Sequence, residues 1–572
     1  MPLVRRESVN VKAASGDTSS RSIAAAALVI TIGNLLARLF GMLREQFTSY
    51  YFGTGTAIKP FAIADSMLTI LYDLLISGAI ASALVPVLSN FSTVERRVEL
   101  RRIVGTLLSV TLLTMSGVTI MLIIFAPQLV QLWLFSGMGN GSRIGDPLPG
   151  MALVAAAHAV GESADNAVLM PQVVTTIRLI LPAIVLLGLA AVLLATNYAL
   201  GRFIWPSMAQ VARNGAMVIA AAALAHWLGI TSMVIGVLVG AALLVVVQLP
   251  SLRDAFPYPA FDLSHPAIRR IFRLYAPISL GLLANTIGQI IDRSLAWGQA
   301  GENALGAMRY ATQLQQLVLG LVATGIALGA LPLLAREAEH ADETGFRATL
   351  ITALRMTTVL IAPAIFGLFA LSSPLVRLLF GHGATTASGT HSIIIALLGY
   401  LPGTFFAAYD QLLINMFYAR SNTLTPQFVG VVGVALYIGI ELALVKHLGM
   451  VALVGAVSAQ WAFHALTMFW LSRTIIGRAG LYAVGRVLGI CLGVSIAMAV
   501  LIFSISAALG AILPGPQILR DITTLLLAGG SGVSFYIWGT ALLGVPDGVI
   551  LVQKGRSKLH QAYFTNLRRW LP

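Results

Sequence analysis

The chain has 572 residues, 58% hydrophobic and 10% charged, with a mean hydropathy of +0.87. Soluble domains average about 45–50% apolar and about 25% charged residues, so this composition excludes a soluble protein and equally a disordered, collagen-like or disulfide-stapled one. The formal net charge of +14 points either to nucleic acid or to basic loops at a membrane, and the placement of the charges decides.

A membrane-spanning helix needs about 20 mostly apolar residues. In chain order such spans are expected at 22–44, 58–89, 103–134, 173–198, 204–226, 229–249, 271–298, 304–335, 349–371, 387–419, 424–446, 450–473, 484–508 and 521–544, fourteen in all, the third interrupted by Pro127. The short alternating segments of a transmembrane barrel are absent. The polar tail 1–21 precedes a span that carries Arg38 and lacks a small-residue cleavage site, so the first span is expected to be retained. The single Cys491 lies in an apolar run and excludes an intramolecular disulfide.

An even number of spans puts both termini on one side. Most of the 36 Lys and Arg residues fall on that side: Arg5, Arg6, Lys12 and Arg21 in the tail, then Arg96, Arg97, Arg101 and Arg102, then Arg202. Further along come Arg253, Arg269, Arg270 and Arg273, then Arg336, Arg347 and Arg420, then Arg473, Arg478 and Arg486, and last Lys554 to Arg569. The opposite loops hold little more than Lys59, Arg143, Lys446 and Arg520, and loop 138–172 carries Asp146, Glu162 and Asp165. The positive-inside rule therefore predicts cytoplasmic termini. The basic excess is a topology signal, and no nucleic-acid partner is expected.

An internal repeat is visible. Pro182, Tyr198, Ala199 and Pro206 recur 220 residues later as Pro402, Tyr418, Ala419 and Pro426, and the run Gly78–Pro86 is echoed by Gly325–Pro332. The matched spans are six apart, so the halves have parallel topology, as in transporters built from two like bundles. The expected fold class is an all-α polytopic membrane protein of about fourteen helices, two six-helix lobes around a central cavity plus two C-terminal helices. The expected divisions are an N-tail (1–21), an N-lobe (22–249), a cytoplasmic linker (250–270), a C-lobe (271–473), a helix pair (484–544) and a basic amphipathic tail (545–572).

Ionisable residues inside spans cost about 2.5–3.5 kcal/mol on insertion scales and usually face a bundle interior. Arg38, Arg44 and Glu45 lie on the first span, with Arg38 and Glu45 on one face. Asp65, Tyr72 and Asp73 lie on the second, and Asn285, Gln289 and Asp292 form a stripe on the seventh beside Arg293. Arg309, Gln313, Gln316 and Gly320 share a face of the eighth, and Asp410 sits inside the tenth. Arg44, Arg293 and Arg309 stand near expected span ends, where snorkelling to the interface competes with a cavity role. Asp65 and Asp73 fit interhelical hydrogen bonding equally well, and Arg213 fits a structural pair. Arg38, Asp292 and Asp410 favour a cavity or ion-coupling role. There is no phosphate-binding loop, no metal-ligand spacing and no acid–base constellation. Neither an enzyme nor a cofactor or metal is expected, and the nine His residues are scattered, mostly in loops. Transport would run on an ion gradient, the membrane potential or a substrate gradient.

The residues Arg38-Leu-Phe-Gly-Met-Leu-Arg44-Glu45, Phe52-Gly-Thr-Gly55 and Gly78-Ala-Ile-Ala-Ser-Ala-Leu-Val-Pro86 resemble the N-terminal signature of the MurJ/MviN lipid II flippases. The resemblance continues through Asp292-Arg293, Tyr310-Ala311, Gly320 to Leu334, and Phe417-Tyr-Ala-Arg420 with Thr425-Pro426. It covers essentially the whole chain and places it in the multidrug/oligosaccharidyl-lipid/polysaccharide exporter superfamily. The resemblance implies two lobes around a cavity, a lipid-facing groove formed by the last two helices, and movement of undecaprenyl-pyrophosphate-linked peptidoglycan precursor between leaflets of the bacterial cytoplasmic membrane.

Arg38 and Arg44 match two cavity arginines of that family, and Glu45 stands for its usual Asp. Guanidinium groups suit a pyrophosphate because they stay charged and donate bidentately. The chain departs from the pattern at Lys59 (usually Asp), Tyr72 and Asp73 (paired Arg), Ser77 (Glu), Thr312-Gln313 (Asp-Arg) and Gln316 (Glu). The expected substrate-binding set is thus Arg38, Arg44, Glu45, Asp65, Asp73, Arg309, Gln313 and Gln316, with Asn285, Gln289, Asp292 and Asp410 for a coupling monovalent cation or proton. The expected partners are the polyprenyl-linked lipid and membrane lipids. Two other readings stay open: a different polyprenyl-linked oligosaccharide or an amphipathic compound as cargo, and a non-transporting scaffold that recruits cell-wall enzymes.

Overall fold

The computed structural model describes residues 33, 35–73, 84–135, 169–420, 422–513 and 515–545. The expected N-tail, the first part of span 1, Ser77 and most of the Gly78–Pro86 run lie outside the described residues, as do Arg143, Asp146, Glu162, Asp165 and the amphipathic tail beyond Val545.

Among the described residues the secondary structure is entirely helical. In a bilayer every backbone N–H and C=O must be satisfied within its own segment, and an apolar run achieves this only as a helix. Ten helices among the described residues are long and apolar enough to cross a membrane. They leave apolar side chains exposed all along their length; Leu112, Leu113, Ile120 and Met121 on one helix are examples. Such a surface suits hydrocarbon and not water.

The chain forms two compact units that divide after Gly306. The first contains α1 (35–52), α2 (Lys59–Tyr72), the short α3 (Val85–Ser89), α4 (Arg97–Ile124), α5 (Ala126–Phe135), α6 (169–180), α7 (Ala183–Ala199), α8 (Ile204–Leu228), α9 (Thr231–Val246) and α10 (Pro266–Gly298). Helix α1 runs to Phe52, a full two turns past the expected end at residue 44. Arg44 and Glu45 therefore lie inside the helix and not at its end. The chain then turns at Gly53, whose φ of 65° is left-handed, before a 3-10 turn at Thr56–Ile58. Span 3 breaks at Phe125, two residues ahead of Pro127. The unit's base is a core of Leu88, Leu100, Ile103, Val104, Ala195 and Ile268, which joins α3, α4, α7 and α10.

Basic loops converge at one end of this unit. Arg202 donates both terminal nitrogens to Asp254, at 2.7 and 2.6 Å. Arg97 pairs with the same carboxylate, and Arg101 donates to the Asp254 carbonyl. Arg102 meets Asp262 at 3.0 Å, and His265 Nε2 lies 3.3 Å from Glu99. The Ser264 hydroxyl donates to Asp262 at 2.6 Å and, together with Arg102, holds that carboxyl below its ordinary range. Loops expected on one side of the membrane thus share one end of the bundle.

The second unit contains α11 (Ala304–Glu339), α12 (Glu343–Ala370), α13 (Ser372–Phe380), α14 (Ala387–Ala419), α15 (Leu424–Leu448), α16 (Met450–Ile512) and α17 (Gln517–Leu542). The internal repeat is visible here at atomic detail. Helices α8 and α15 are both 25 residues long, start 220 residues apart and carry proline at the third position. Each ends at a glycine of the same conformation, Gly229 (φ 53°, ψ −136°) and Gly449 (φ 54°, ψ −131°).

Spans 12 and 13, expected as separate helices, are two helical segments that meet without a loop at Gly477, whose backbone is non-helical (φ 72°, ψ 164°); together they are labelled α16 (Met450–Ile512). Arg347 caps the first half by donating from Nε to the Ile475 carbonyl at 2.8 Å. The second half and α17 pack on α12 through Val359, Ala362, Cys491, Met498, Ile502 and Ala528, and Tyr536 donates its hydroxyl to the Val359 carbonyl at 2.9 Å. The Gly477 conformation is essentially confined to glycine. Gly477→Ala is expected to cost about 1–3 kcal/mol, read as a lowered melting temperature in detergent; an unchanged value would show that the bend tolerates a side chain.

Candidate functional site

In the first unit the polar residues of α1, α2 and α8 come together inside an otherwise apolar bundle. Helix α1 lies close against α8: a Cβ on Gly33 would fall 2.3 Å from that of Ser207. Asn214 of α8 locks this contact by donating to the Ala37 carbonyl at 2.9 Å while its own oxygen faces Arg44 Nη1 at 3.5 Å. The Arg44 guanidinium directs Nε (3.0 Å) and Nη2 (2.5 Å) onto one oxygen of Glu45, which is 1% exposed. Its remaining nitrogen has the long Asn214 contact and the Met217 sulfur at 3.8 Å. One edge of Arg44 is thus committed and the other is only loosely held.

Arg213, adjacent to Asn214, lies within electrostatic reach of Arg44, Asp65 and Tyr72, and Tyr72 lies within reach of Asp73 and Tyr198. The Arg213 Nε is buried and has no hydrogen-bond partner. Helix α9 closes over its backbone, where a Cβ on Gly240 would come within 2.9 Å of the Arg213 carbonyl. The sequence marked Arg44, Glu45, Asp65 and Asp73 as site residues. Arg213 fitted a structural pair or, with Arg293 and Arg309, a substitute for the family's missing arginines, and Asn214 was passed over. A basic–amide dipeptide in the middle of an apolar span was the available signal for both.

The other expected residues fall in separate places. Arg38 is half-buried on α1, one turn before Met42 and well short of the Arg44–Glu45 pair. Lys59, where the family pattern has Asp, sits 5.3 Å above the Trp297 ring of α10. On α10, Asp292 is 5% exposed; Arg293 Nε approaches its Oδ2 only at 3.7 Å, and its Oδ1 is buried without a hydrogen-bond partner. Gln289 is half-buried one turn earlier, and the side chain of Asn285 lies outside the described residues. In the second unit, Arg309 and Gln313 are half-buried and Gln316 is exposed along one face of α11.

Asp410, expected as an isolated acid, is fully buried on α14 against His464 of α16, with His464 Nδ1 2.6 Å from its Oδ1. His464 Nε2 lies 3.1 Å from the Pro426 carbonyl of α15. The sequence reading missed His464, which lies mid-helix and not in a loop. Among the described residues no group of three or more His, Cys, Asp or Glu is placed to hold a metal ion.

With this geometry in view, three kinds of comparison agree. A family model described as lipid II flippase MurJ matches residues 48–514. A lipid II flippase MurJ of Burkholderia cenocepacia is 26% identical over 411 residues, covering 70% of this chain and 74% of the relative. A probable lipid II flippase MurJ of Vibrio cholerae is 26% identical over 454 residues, covering 77% of this chain and 81% of the relative. A solved structure of lipid II flippase MurJ in an inward closed conformation superposes with a TM-score of 0.71 at 19% identity, over 90% of this chain and 98% of that one. An inward-facing multidrug resistance MATE family transporter of the MOP superfamily gives 0.60 at 13% identity, over 81% and 98%.

Proposed function

The chain belongs to the lipid II flippase MurJ family, and from that premise we propose that it carries lipid II from the inner to the outer leaflet of the bacterial cytoplasmic membrane by alternating access. The carrying observation is the pair of guanidinium groups, Arg44 and Arg213, held among α1, α2 and α8 within an apolar bundle. An arginine keeps its charge there, and its planar fork fits pyrophosphate oxygens. Glu45 fixes one edge of Arg44, and the loosely held Nη1 is the edge a phosphate oxygen takes from Asn214 and Met217. Arg38 and Arg213 provide further charge, and Arg309, Gln313 and Gln316 hydrogen-bond the sugar or peptide part of the cargo. Both termini are cytoplasmic in this reading, supported by the convergence of Arg97, Arg101, Arg102 and Arg202 at one end of their unit.

A coupling ion acts at Asp292, assisted by Gln289 and Asn285, or at Asp410. Each acid has one carboxylate oxygen buried without a hydrogen-bond partner, which leaves it able to take a proton or a monovalent cation. A second cargo, another polyprenyl-linked glycan, is favoured by one observation: Asp65 and Asp73 stand near Arg213 and Tyr72 and offset part of the positive charge.

Liposomes carrying the purified protein and labelled lipid II, with a different polyprenyl-linked glycan in parallel, test the cargo. Movement of lipid II is the expected result, and movement of the second lipid alone overturns it. Arg38→Ala is expected to abolish movement with membrane insertion intact; full activity in that variant would remove Arg38 from the mechanism.

A further inference from the structure

The second unit holds a buried ionisable pair that the first unit does without. Through the repeat that maps Ile204 onto Leu424, Asp410 corresponds to Ala190 and His464 to Leu244. Ala190 and Leu244 are buried at 5% and 6% exposure, and the Gln248 amide donates to both of their carbonyls. The scaffold therefore packs the same pair of helices with apolar side chains at these two positions and no ionisable group, the Gln248 amide bridging them instead. Asp410 and His464 have a duty other than filling space.

Their hydrogen bonds fix how many protons they hold. The Pro426 carbonyl only accepts, so His464 Nε2 carries a hydrogen. The 2.6 Å separation of Nδ1 and Oδ1 requires a second proton between them, whether it is drawn on the imidazole or on the acid. The loaded pair is electrically neutral and ties α14, α15 and α16 together through a single ring. If one proton leaves to water, the neutral imidazole keeps a single N–H for two acceptors; the carboxylate is the stronger acceptor and holds it at Nδ1, and the Nε2 contact to the Pro426 carbonyl of α15 is lost.

Among the described residues, the charged and titratable groups on the neighbouring elements face elsewhere or lie at a distance. Tyr409, next to Asp410, is turned to Thr358 of α12 at 2.7 Å. Arg355 lies one turn before Thr358 on α12. Arg420 at the end of α14 is paired with Glu343, and Arg473 on α16 lies over Trp470. Glu441 is four turns further along α15, about 22 Å from Pro426 at 1.5 Å per residue.

We propose that Asp410 and His464 form a one-proton binding site whose proton, when bound, clamps the first turn of α15 to α14 and α16, and whose release frees it. The proposal rests on the coupling role given above to Asp410 and names its ion as a proton. Proton release is favoured as pH rises, so the clamp opens toward high pH. Amides near a helix end exchange through local opening, so loss of a tertiary hydrogen bond there lowers their protection.

Hydrogen–deuterium exchange of residues 424–432, corrected for its intrinsic pH dependence, is the test on the full-length protein in nanodiscs. Between about pH 6 and 9 the wild type is expected to lose about tenfold in protection there. Asp410→Asn keeps a neutral hydrogen-bonding pair, and Asp410→Ala with His464→Leu installs the residues of the first unit. Both are expected to abolish the step, and if the double variant does not fold, the single one decides. A flat wild-type profile, or a step that survives in Asp410→Asn, overturns the site. Lipid II movement, measured in liposomes at equal pH on both sides, separates this proposal from the cargo assignment. A protection step without lipid II movement removes the cargo and keeps the proton site; lipid II movement without a step removes the site and keeps the cargo.

Discussion

Arg44→Ala is expected to slow lipid II movement by about a hundredfold or more, because truncating one member of a desolvated charge pair costs about 2–5 kcal/mol. Two losses combine: the cargo loses the Nη1 edge, and Glu45, 1% exposed, loses the guanidinium that donates twice to its Oε1. Arg44→Lys separates them. A lysine restores a positive charge but offers a point donor in place of a planar fork, so it should recover folding more fully than transport. Glu45→Gln should leave cargo affinity in place while lowering thermal stability. Transport at the wild-type rate in Arg44→Ala, with expression unchanged, would take the arginine out of the cargo path. The liposome assay and a melting curve in detergent, run on the same preparations, read both quantities.

Arg377→Ala should lower stability without touching the cargo path. Arg377 donates from Nε (3.1 Å) and Nη2 (2.6 Å) to the two oxygens of Asp521, whose residue is 4% exposed. The pair joins α13 to the first turns of α17 at the rim of a cavity of about 450 Å³ lined by Phe369, Phe503, Ser506 and Arg520. Removing one partner of a buried ion pair costs about 3–5 kcal/mol; the guanidinium here is about a third exposed, so roughly half that is expected. Melting in detergent should fall accordingly, and exchanging the two residues (Arg377→Asp with Asp521→Arg) should recover part of the loss. No change in melting temperature would mean that α17 is held by its apolar contacts alone.

The sequence disclosed elements through apolar length and disclosed sites only in part. Helices α14 and α15 start where the apolar runs start, because a run that must enter hydrocarbon has no other way to satisfy its backbone. Ends were less visible. Helix α1 continues through Arg44, Glu45 and Thr48, polar residues that satisfy one another locally: Arg44 pairs with Glu45, and the Thr48 hydroxyl donates to the Arg44 carbonyl at 2.7 Å. A hydropathy window cannot detect that local pairing. The break at Gly477 falls in the interval left between the spans at 450–473 and 484–508, but the absence of a loop there was not visible, since one positive-φ glycine interrupts a helix without one. Partners far apart in sequence were the hardest to foresee. Asp410 stood out as an acid in an apolar span, but the 54 residues that separate it from His464 leave no periodic trace. Asn214 likewise acquires meaning only when α1 is laid on α8.

Cys491 is the chain's single thiol, fully buried in the core that α12, α16 and α17 share. A maleimide or methanethiosulfonate reagent therefore finds no native target on the folded protein. Cysteines introduced one at a time can be labelled without first building a cysteine-free background, so spectroscopic reporters can be placed on the helices while every native side chain of the core is kept.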